Sequence, residues 1–437
     1  MCAATRSGPA LTWIKAAPAG RADHASILNT GAHLMKNRHR PGWPAWLLAG
    51  GCLIAPAAQA QTASAAIFDA RLRHEHVDDD LFARPADAST LRLRLGYRSA
   101  VHSGWSSLIE AEGTTHLFGD RYNSSDNGRT EFPAISDPDN AEINQAYVDY
   151  APDPATHLRA GRQRLVYDNQ RFIGNSGWRQ NEQTFDALDL QHKLGTHTAL
   201  RYSWLGRVQR VFGADNRQDN LARWLLDAHL FSVAYHRGPG TLTGYGHFID
   251  NRSLPLSSHR NLGLRYAAMA DFDKQGVASG LGWTLAAEFA RQSPYADGDR
   301  RIGASYRLLE GGLVWNGYTM KAGVEELGGD GKTAFQTPLA TLHAFNGWAD
   351  RFLTTPAAGL QDRYLGWNRK WGKVTANLAW HDFRADHGAV HYGREWDASV
   401  AWAFAPHWNA LVKAADYRAD DVGADVGKTW ISLEYSR

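Results

Sequence analysis

The chain has 437 residues, 43 % hydrophobic and 11 % aromatic, with 17 Trp, 42 Gly and a mean hydropathy of −0.44. That composition excludes a disordered chain and a small disulfide-stapled module, and the lack of any apolar run of roughly 18 residues beyond the N-terminal segment excludes a polytopic helical membrane protein. The formal charge of +2 rests on residues 1–60, with six basic side chains and one acidic; the rest holds 41 basic and 44 acidic residues, without the basic excess of a nucleic-acid binder.

In chain order, Met35-Lys36-Asn37-Arg38-His39-Arg40 is a basic n-region, Trp46 to Ala55 an apolar h-region, and Ala58-Gln59-Ala60 a small-x-small site before Gln61. Residues 35–60 therefore read as a signal peptide cleaved between Ala60 and Gln61, and residues 1–34 as sequence upstream of the true start. A competing reading takes Ala49 to Cys52 as a lipoprotein box. Cys2 and Cys52 both precede the cleavage site, so residues 61–437 contain no cysteine, which fits export through an oxidising compartment.

From there period-two alternation dominates, over segments of about ten residues. Leu91, Leu93, Leu95 and Tyr97 alternate with Arg92, Arg94 and Gly96; Leu200, Tyr202, Trp204 and Val208 oppose Arg201, Ser203 and Arg207. Leu262, Leu264 and Tyr266 oppose Asn261 and Arg265, Phe289 follows Glu288, and Tyr318, Met320, Ala322 and Val324 oppose Thr319, Lys321 and Glu325. Similar strands follow at 374–381, 396–404 and 429–435. Short connections (Pro152-Asp153-Pro154, Gly238-Pro239-Gly240, Trp371-Gly372) alternate with long polar ones at 114–141, 165–183, 210–223 and 326–362. Aromatics sit at strand ends. These features predict an all-β, transmembrane, antiparallel up-and-down β-barrel over 61–437, with long external loops in the outer membrane of a Gram-negative bacterium. About 21 to 24 residues per strand and connection gives sixteen or eighteen strands, enough to enclose an aqueous channel.

If the apolar parity meets lipid, the other parity puts Arg92, Arg94, Arg201, Arg207, Arg265 and Lys321 into the lumen, with Glu110, Glu112, Glu288 and Glu325 as counter-charges. Arginine outnumbers lysine 33 to 8 after residue 60. Its planar fork suits carboxylates, so the wall reads either as a conduit for an anionic solute or as bracing by Arg–Glu pairs.

Residues 142–190 contain Glu142-Ile143-Asn144-Gln145, Gly161-Arg162-Gln163-Arg164, Arg179-Gln180-Asn181 and Thr184-Phe185-Asp186-Ala187, and a related block runs from Phe335 to Phe352. This resembles the bacterial alginate-export outer-membrane porin family. The resemblance implies an eighteen-stranded monomeric barrel that passes an anionic polysaccharide such as alginate by diffusion through an arginine-rich lumen. It also implies that Arg162 and Arg164 contribute to the electropositive constriction. Independently, two arginines two apart on a strand share a face, and the cost of facing lipid should turn both inward. Asp149, Asp168 and Asp186 are their candidate partners. A porin for small anionic solutes is the alternative, and an outer-membrane enzyme or adhesin a third reading.

The connection 326–362 is too apolar for free solvation. Thr337 and Pro338 predict a helix start, and Leu342, Phe345, Trp348 and Phe352 keep roughly helical spacing, so a short amphipathic helix constricting the mouth is expected. Gly331-Lys332-Thr333 and Gly427-Lys428-Thr429 lack the upstream glycine of a phosphate loop. His74 and His76 share one face and read as polar lumen or, less simply, a metal pair. No catalytic residue, metal or cofactor is predicted, and no nucleic-acid partner. Outer-membrane lipid, lipopolysaccharide and the barrel-assembly machinery are the expected partners besides the solute.

Overall fold

The computed structural model describes residues 63–271 and 280–437. The expectations for residues 1–34, the signal at 35–60 and the Ala60/Gln61 cleavage lie outside the described residues. Eighteen strands follow one another: β1 (Ala65–Asp79), β2 (Ala86–Arg98), β3 (Trp105–Arg121), β4 (Asn140–Asp153), β5 (Thr156–Gln163), β6 (Thr184–Leu194), β7 (Thr198–Gln209), β8 (Arg223–Arg237) and β9 (Gly240–Asn251). Then come β10 (His259–Asp271), β11 (Leu281–Pro294), β12 (Ala304–Trp315), β13 (Tyr318–Leu327), β14 (Leu360–Trp371), β15 (Val374–Arg384), β16 (His391–Ala405), β17 (Trp408–Ala419) and β18 (Val426–Ser436).

Each strand pairs antiparallel with its chain neighbours, and β1 pairs with both β2 and β18, closing the sheet into a barrel. The closing register runs from Asp69 opposite Ser436 to Asp79 opposite Val426, and Phe68 and Arg437 exchange two backbone hydrogen bonds of 2.9 and 2.8 Å. Closure leaves the sheet without a free edge, which hydrocarbon demands because it offers no replacement partner for unpaired ladder groups.

Alternation sorts the faces. On β2, Leu93 and Leu95 are 41 % and 58 % exposed, whereas Arg92 and Arg94 are 1 % and 8 % exposed. Ile109, Leu264, Leu309, Met320, Leu365 and Val412 extend the exposed apolar belt around the barrel. In water such a belt costs about 25 cal/mol per Å²; in acyl chains that penalty vanishes. The connections 154–155, 195–197, 238–239, 316–317, 372–373 and 406–407 are short and lie at the end that holds both described termini; 122–139, 164–183, 210–222 and 328–359 are long and lie at the other. Aromatic pairs ring the short-turn end: Trp105 stacks on Tyr150 at 4.3 Å, and Trp408 meets Tyr435 at 5.0 Å beside the closing seam. The first long connection starts later than 114 because β3 continues to Arg121, its last seven residues exposed beyond the belt.

Four expectations fail for local reasons. On β7, Gly206 forms a bulge between Leu205 and Arg207, so two residues oppose one on β6 and the parity reverses. Val208 becomes fully buried on the inner side, and Arg207, expected in the lumen, stands on the outer side beside Asp186. Arg162 lies on the outer face too: it shares parity with the exposed Leu158, while Gln163 is buried inside. Its cost is small because it sits above the apolar belt and forks onto Asp186 at 2.7 and 3.2 Å. His74 and His76 face outward as well, bonded to Ser89 and Asp87, because Arg71, Arg73 and Glu75 take the inner parity of β1. Finally, segment 328–359 contains one 3-10 turn, Leu342–Ala344, instead of an amphipathic helix; Thr337 caps nothing and accepts a hydrogen bond from Arg171.

Candidate functional site

Two loops, 164–183 and 328–359, turn into the barrel. They join each other by a parallel bridge between Ile173 and Leu339, with Gly174 N donating to Leu339 O at 2.9 Å and Thr341 N to Gln170 O at 3.1 Å. Arg171, fully buried, fastens both loops to the wall: Nε donates to Glu325 on β13 (2.8 Å), Nη1 to Thr337 (3.1 Å) and Nη2 to Asn346 (2.9 Å). Phe172, Tyr306 and Phe335 pack at centroid distances of 5.2 to 5.7 Å, giving the loops an apolar core inside the barrel. The inner face of β8 is correspondingly apolar, with Trp224, Leu226, Ala228 and Leu230 buried.

Two walls of opposite sign flank the loops. On β1 and β2, Arg71 stands opposite Arg92, with Arg73 and Arg94 on the same inner face. Across the barrel, β12 to β16 present Glu310, Glu325, Asp362, Glu395 and Asp397 inward; Ala349 N donates to Glu395 at 2.7 Å and Trp348 N to Asp397 at 3.2 Å. The loop segment Gly177-Trp178-Arg179-Gln180 lies against the arginine wall. Arg71 Nε donates to Gln180 Oε1 (2.9 Å), Nη2 to Arg179 O (2.7 Å) and Nη1 to Gly177 O (3.3 Å); Arg73 Nη2 donates to Trp178 O (2.7 Å). Trp178 lies 4.2 Å from the Arg73 guanidinium and stacks on His343 of the other loop at 4.8 Å. Asp350 joins Arg179 (3.0 Å), Lys428 (3.1 Å) and His343 Nδ1 (2.7 Å), and Lys413 donates to His343 Nε2 at 2.7 Å.

Most cations singled out from sequence meet a carboxylate. Arg92 pairs with Asp69 and Glu434, Arg94 with Glu112 and Glu182, Arg201 with Asp189, Arg265 with Glu288 and Lys321 with Glu310. Arg164, just past β5, turns inward onto Glu110 and Glu182, so it and Arg162 do not share a face. Asp149 belongs to Arg159 and His157 rather than to either. Gln163 donates to Ala187 O at 3.0 Å, Asn181 donates to Arg210 O and accepts from Asn140, and Phe185 is buried. Gly161 has φ of +124°, and a Cβ there would come within 2.3 Å of Ala146 O. The motif thus builds the root of loop 164–183 more than a free cationic surface. Arg71, overlooked in the sequence because the histidines were given its face, is different. Among the described residues no carboxylate lies within 4 Å of it, and its donors are taken by neutral oxygens.

Acid should loosen both loops. Burial pulls His343 down to about 3, so the docked loop holds it neutral; as pH falls below about 6.5, the undocked loop gains a proton that the docked one refuses, and docking weakens. Burial alone would raise Glu182, but the Arg94 and Arg164 guanidiniums hold it at about 2, so its contribution is present above the ordinary carboxylate range near 4.3 and lost as pH falls toward 2. Conductance in planar bilayers at fixed salt should therefore rise between pH 7 and pH 4; a flat profile would sink the argument.

A closed eighteen-stranded barrel with a charged, loop-crossed lumen defines an outer-membrane channel fold. The family model for alginate export matches residues 67–242, from β1 into β9, in agreement with the resemblance carried by the Gly161 to Asp186 motifs. In structure the chain is similar to OccAB4 of Acinetobacter baumannii (TM-score 0.67, 14 % identity, 87 % of this chain and 99 % of that one) and to OccAB2 of the same organism (0.66, 14 %, 85 % and 98 %). It is also similar to OpdK of Pseudomonas aeruginosa, solved with vanillate (0.65, 13 %, 85 % and 98 %). At these identities the likeness is one of fold. No curated protein matches the chain.

Proposed function

We propose that the barrel is a passive channel for carboxylated saccharides, with an anionic polyuronate such as alginate as the leading solute. Arg71 carries the argument. It is a buried guanidinium inside the barrel; among the described residues no carboxylate comes within 4 Å of it, Glu434 standing opposite on β18, and its donors rest on two carbonyl oxygens and one amide oxygen of loop 164–183. The guanidinium's bonds to these oxygens are already charge-assisted on the donor side, and a carboxylate in their place adds the attraction of a full negative charge in a bidentate fork, so an anionic solute can compete with the loop. Arg73, Arg92 and Arg94 extend the wall, and Arg164, Arg201, Arg265 and Lys321, with Glu110, Glu112 and Asp149, line and brace the remainder. Arg162 and Arg207, on the outer face, drop out of the proposed path.

A second reading, a channel for small carboxylated solutes, is supported by the two loops that cross the lumen and by the likeness to OpdK, which was solved with vanillate. In either reading the protein reaches the outer membrane after export on residues 35–60, and no step is catalytic. Planar bilayers holding the folded barrel under a salt gradient separate the readings. Anion selectivity with block by polyuronate is expected; block by a monomeric uronate alone would favour the second reading, and indifference to both would overturn the proposal.

A further inference from the structure

The outer face carries a feature that solute passage does not use. On β10, β11, β12, β14 and β16, the first outward residue above the apolar belt toward the long-loop end is arginine each time: Arg260 above Leu262, Arg291 above Phe289, Arg307 above Leu309, Arg363 above Leu365 and Arg394 above Trp396. The register sets them in one row, with Arg291 near Ser305, Arg307 opposite Glu326, and Asp382 between Arg363 and Arg394. Glu326 is held by Arg307, and Asp382 by Arg384, His391 and Arg394. Arg363 donates to the neutral Gln361 at 2.9 Å. On other strands aspartates interrupt the row at Asp87, Asp186, Asp227 and Asp250.

Directly below Arg363 lies an apolar groove of about 580 Å³ on the lipid side, lined among others by Leu285, Leu309, Ala322, Leu365 and Trp380. It exists because small residues face each other across β12 and β13: Gly311 stands opposite Ala322, and a Cβ on Gly311 would meet nothing within 4 Å. An apolar trough ending under guanidiniums matches a molecule with acyl chains and an anionic phosphate head. Arginine forks onto phosphate oxygens bidentately. Long loops mark the external side of such barrels, so the row lies in the outer leaflet, where the phosphate-bearing lipid is a glycolipid.

We propose that β10 to β16 hold a phosphorylated glycolipid of the outer leaflet, one acyl chain in the groove at Gly311 and a phosphate on Arg363 and Arg394. The proposal rests on the outer-membrane reading but not on any solute. Native mass spectrometry of the folded barrel in micelles doped with bis-phosphorylated lipid A tests it, with dephosphorylated lipid A and phosphatidylglycerol as comparisons. One lipid A should be retained, and retention should fall about tenfold with Arg363→Gln/Arg394→Gln. Gly311→Leu fills the groove without strain and should lower retention alike, whereas Arg121→Gln, on β3, should not. Equal retention by all variants, or equal capture of phosphatidylglycerol or dephosphorylated lipid A, would overturn the site. A barrel that binds lipid A in this way yet proves indifferent to polyuronate would leave the lipid site standing and remove only the proposed solute.

Discussion

Deleting residues 336–354, with a short Gly-Ser bridge in their place, is expected to raise single-channel conductance several-fold while the barrel stays folded. The eighteen ladders do not depend on this segment: it contributes no strand, and β13 and β14 pair directly from Tyr318 opposite Arg369 to Leu327 opposite Leu360. What the segment does contribute is bulk inside the barrel. Leu339, Ala340 and Ala349 are buried there, and Asn346 reaches both Glu325 (2.6 Å) and Asp362 (3.2 Å) on the acidic wall. Loss of the segment also takes Thr337 and Asn346 from Arg171 and His343 from Trp178, and so loosens the second loop. Conductance unchanged by the deletion would mean that the ions pass elsewhere, and the constriction would have to be sought at another level of the barrel.

Arg71→Gln is expected to weaken block by polyuronate about tenfold, the worth of one charge-assisted contact, and to move the reversal potential toward cation selectivity. Glutamine keeps donors for the carbonyls of Gly177 and Arg179 and strands no carboxylate, so folding should survive, unlike a change at Arg94, which would leave Glu112 buried without its cation and Glu182 with Arg164 alone. The comparison that matters is Arg162→Gln, on the outer face, which should leave block and selectivity where they were. If both variants behave as the unaltered barrel does, the arginine wall is bracing alone.

Much of the fold was legible because lipid and lumen impose opposite solvents on alternate residues, and period two records that over every strand. What escaped was everything that breaks the period. Gly206 turns β7 over with one extra residue, and nothing in Leu205-Gly206-Arg207 distinguishes a bulge from a plain strand. On β1, Arg71-Leu72-Arg73 and His74-Glu75-His76 offer two polar sets of opposite parity; choosing the histidines as lumen hid the arginines that matter most. The apolar content of 326–362 rightly signalled a segment unfit for open solvent. Its backbone, however, is held by Gln170, Gly174 and Arg171, more than 160 residues away, and a local helical reading has no means of sensing partners that distant. In the 161–186 motif, the sequence marked the right stretch but not its geometry, since Arg162 and Arg164 part company where β5 ends.

The tie between Ile173 and Leu339 has a kinetic corollary. Loop 328–359 cannot leave the lumen alone without pulling Thr337 and Asn346 from Arg171, and loop 164–183 cannot without pulling Arg171 from Glu325 as well. Their departure is therefore concerted, and current records should show abrupt jumps between two levels rather than a staircase of partial ones. The time-averaged flux is then a duty cycle, governed by how often a single coupled latch lets go, and a solute that prises Arg71 from its carbonyls raises its own rate of passage.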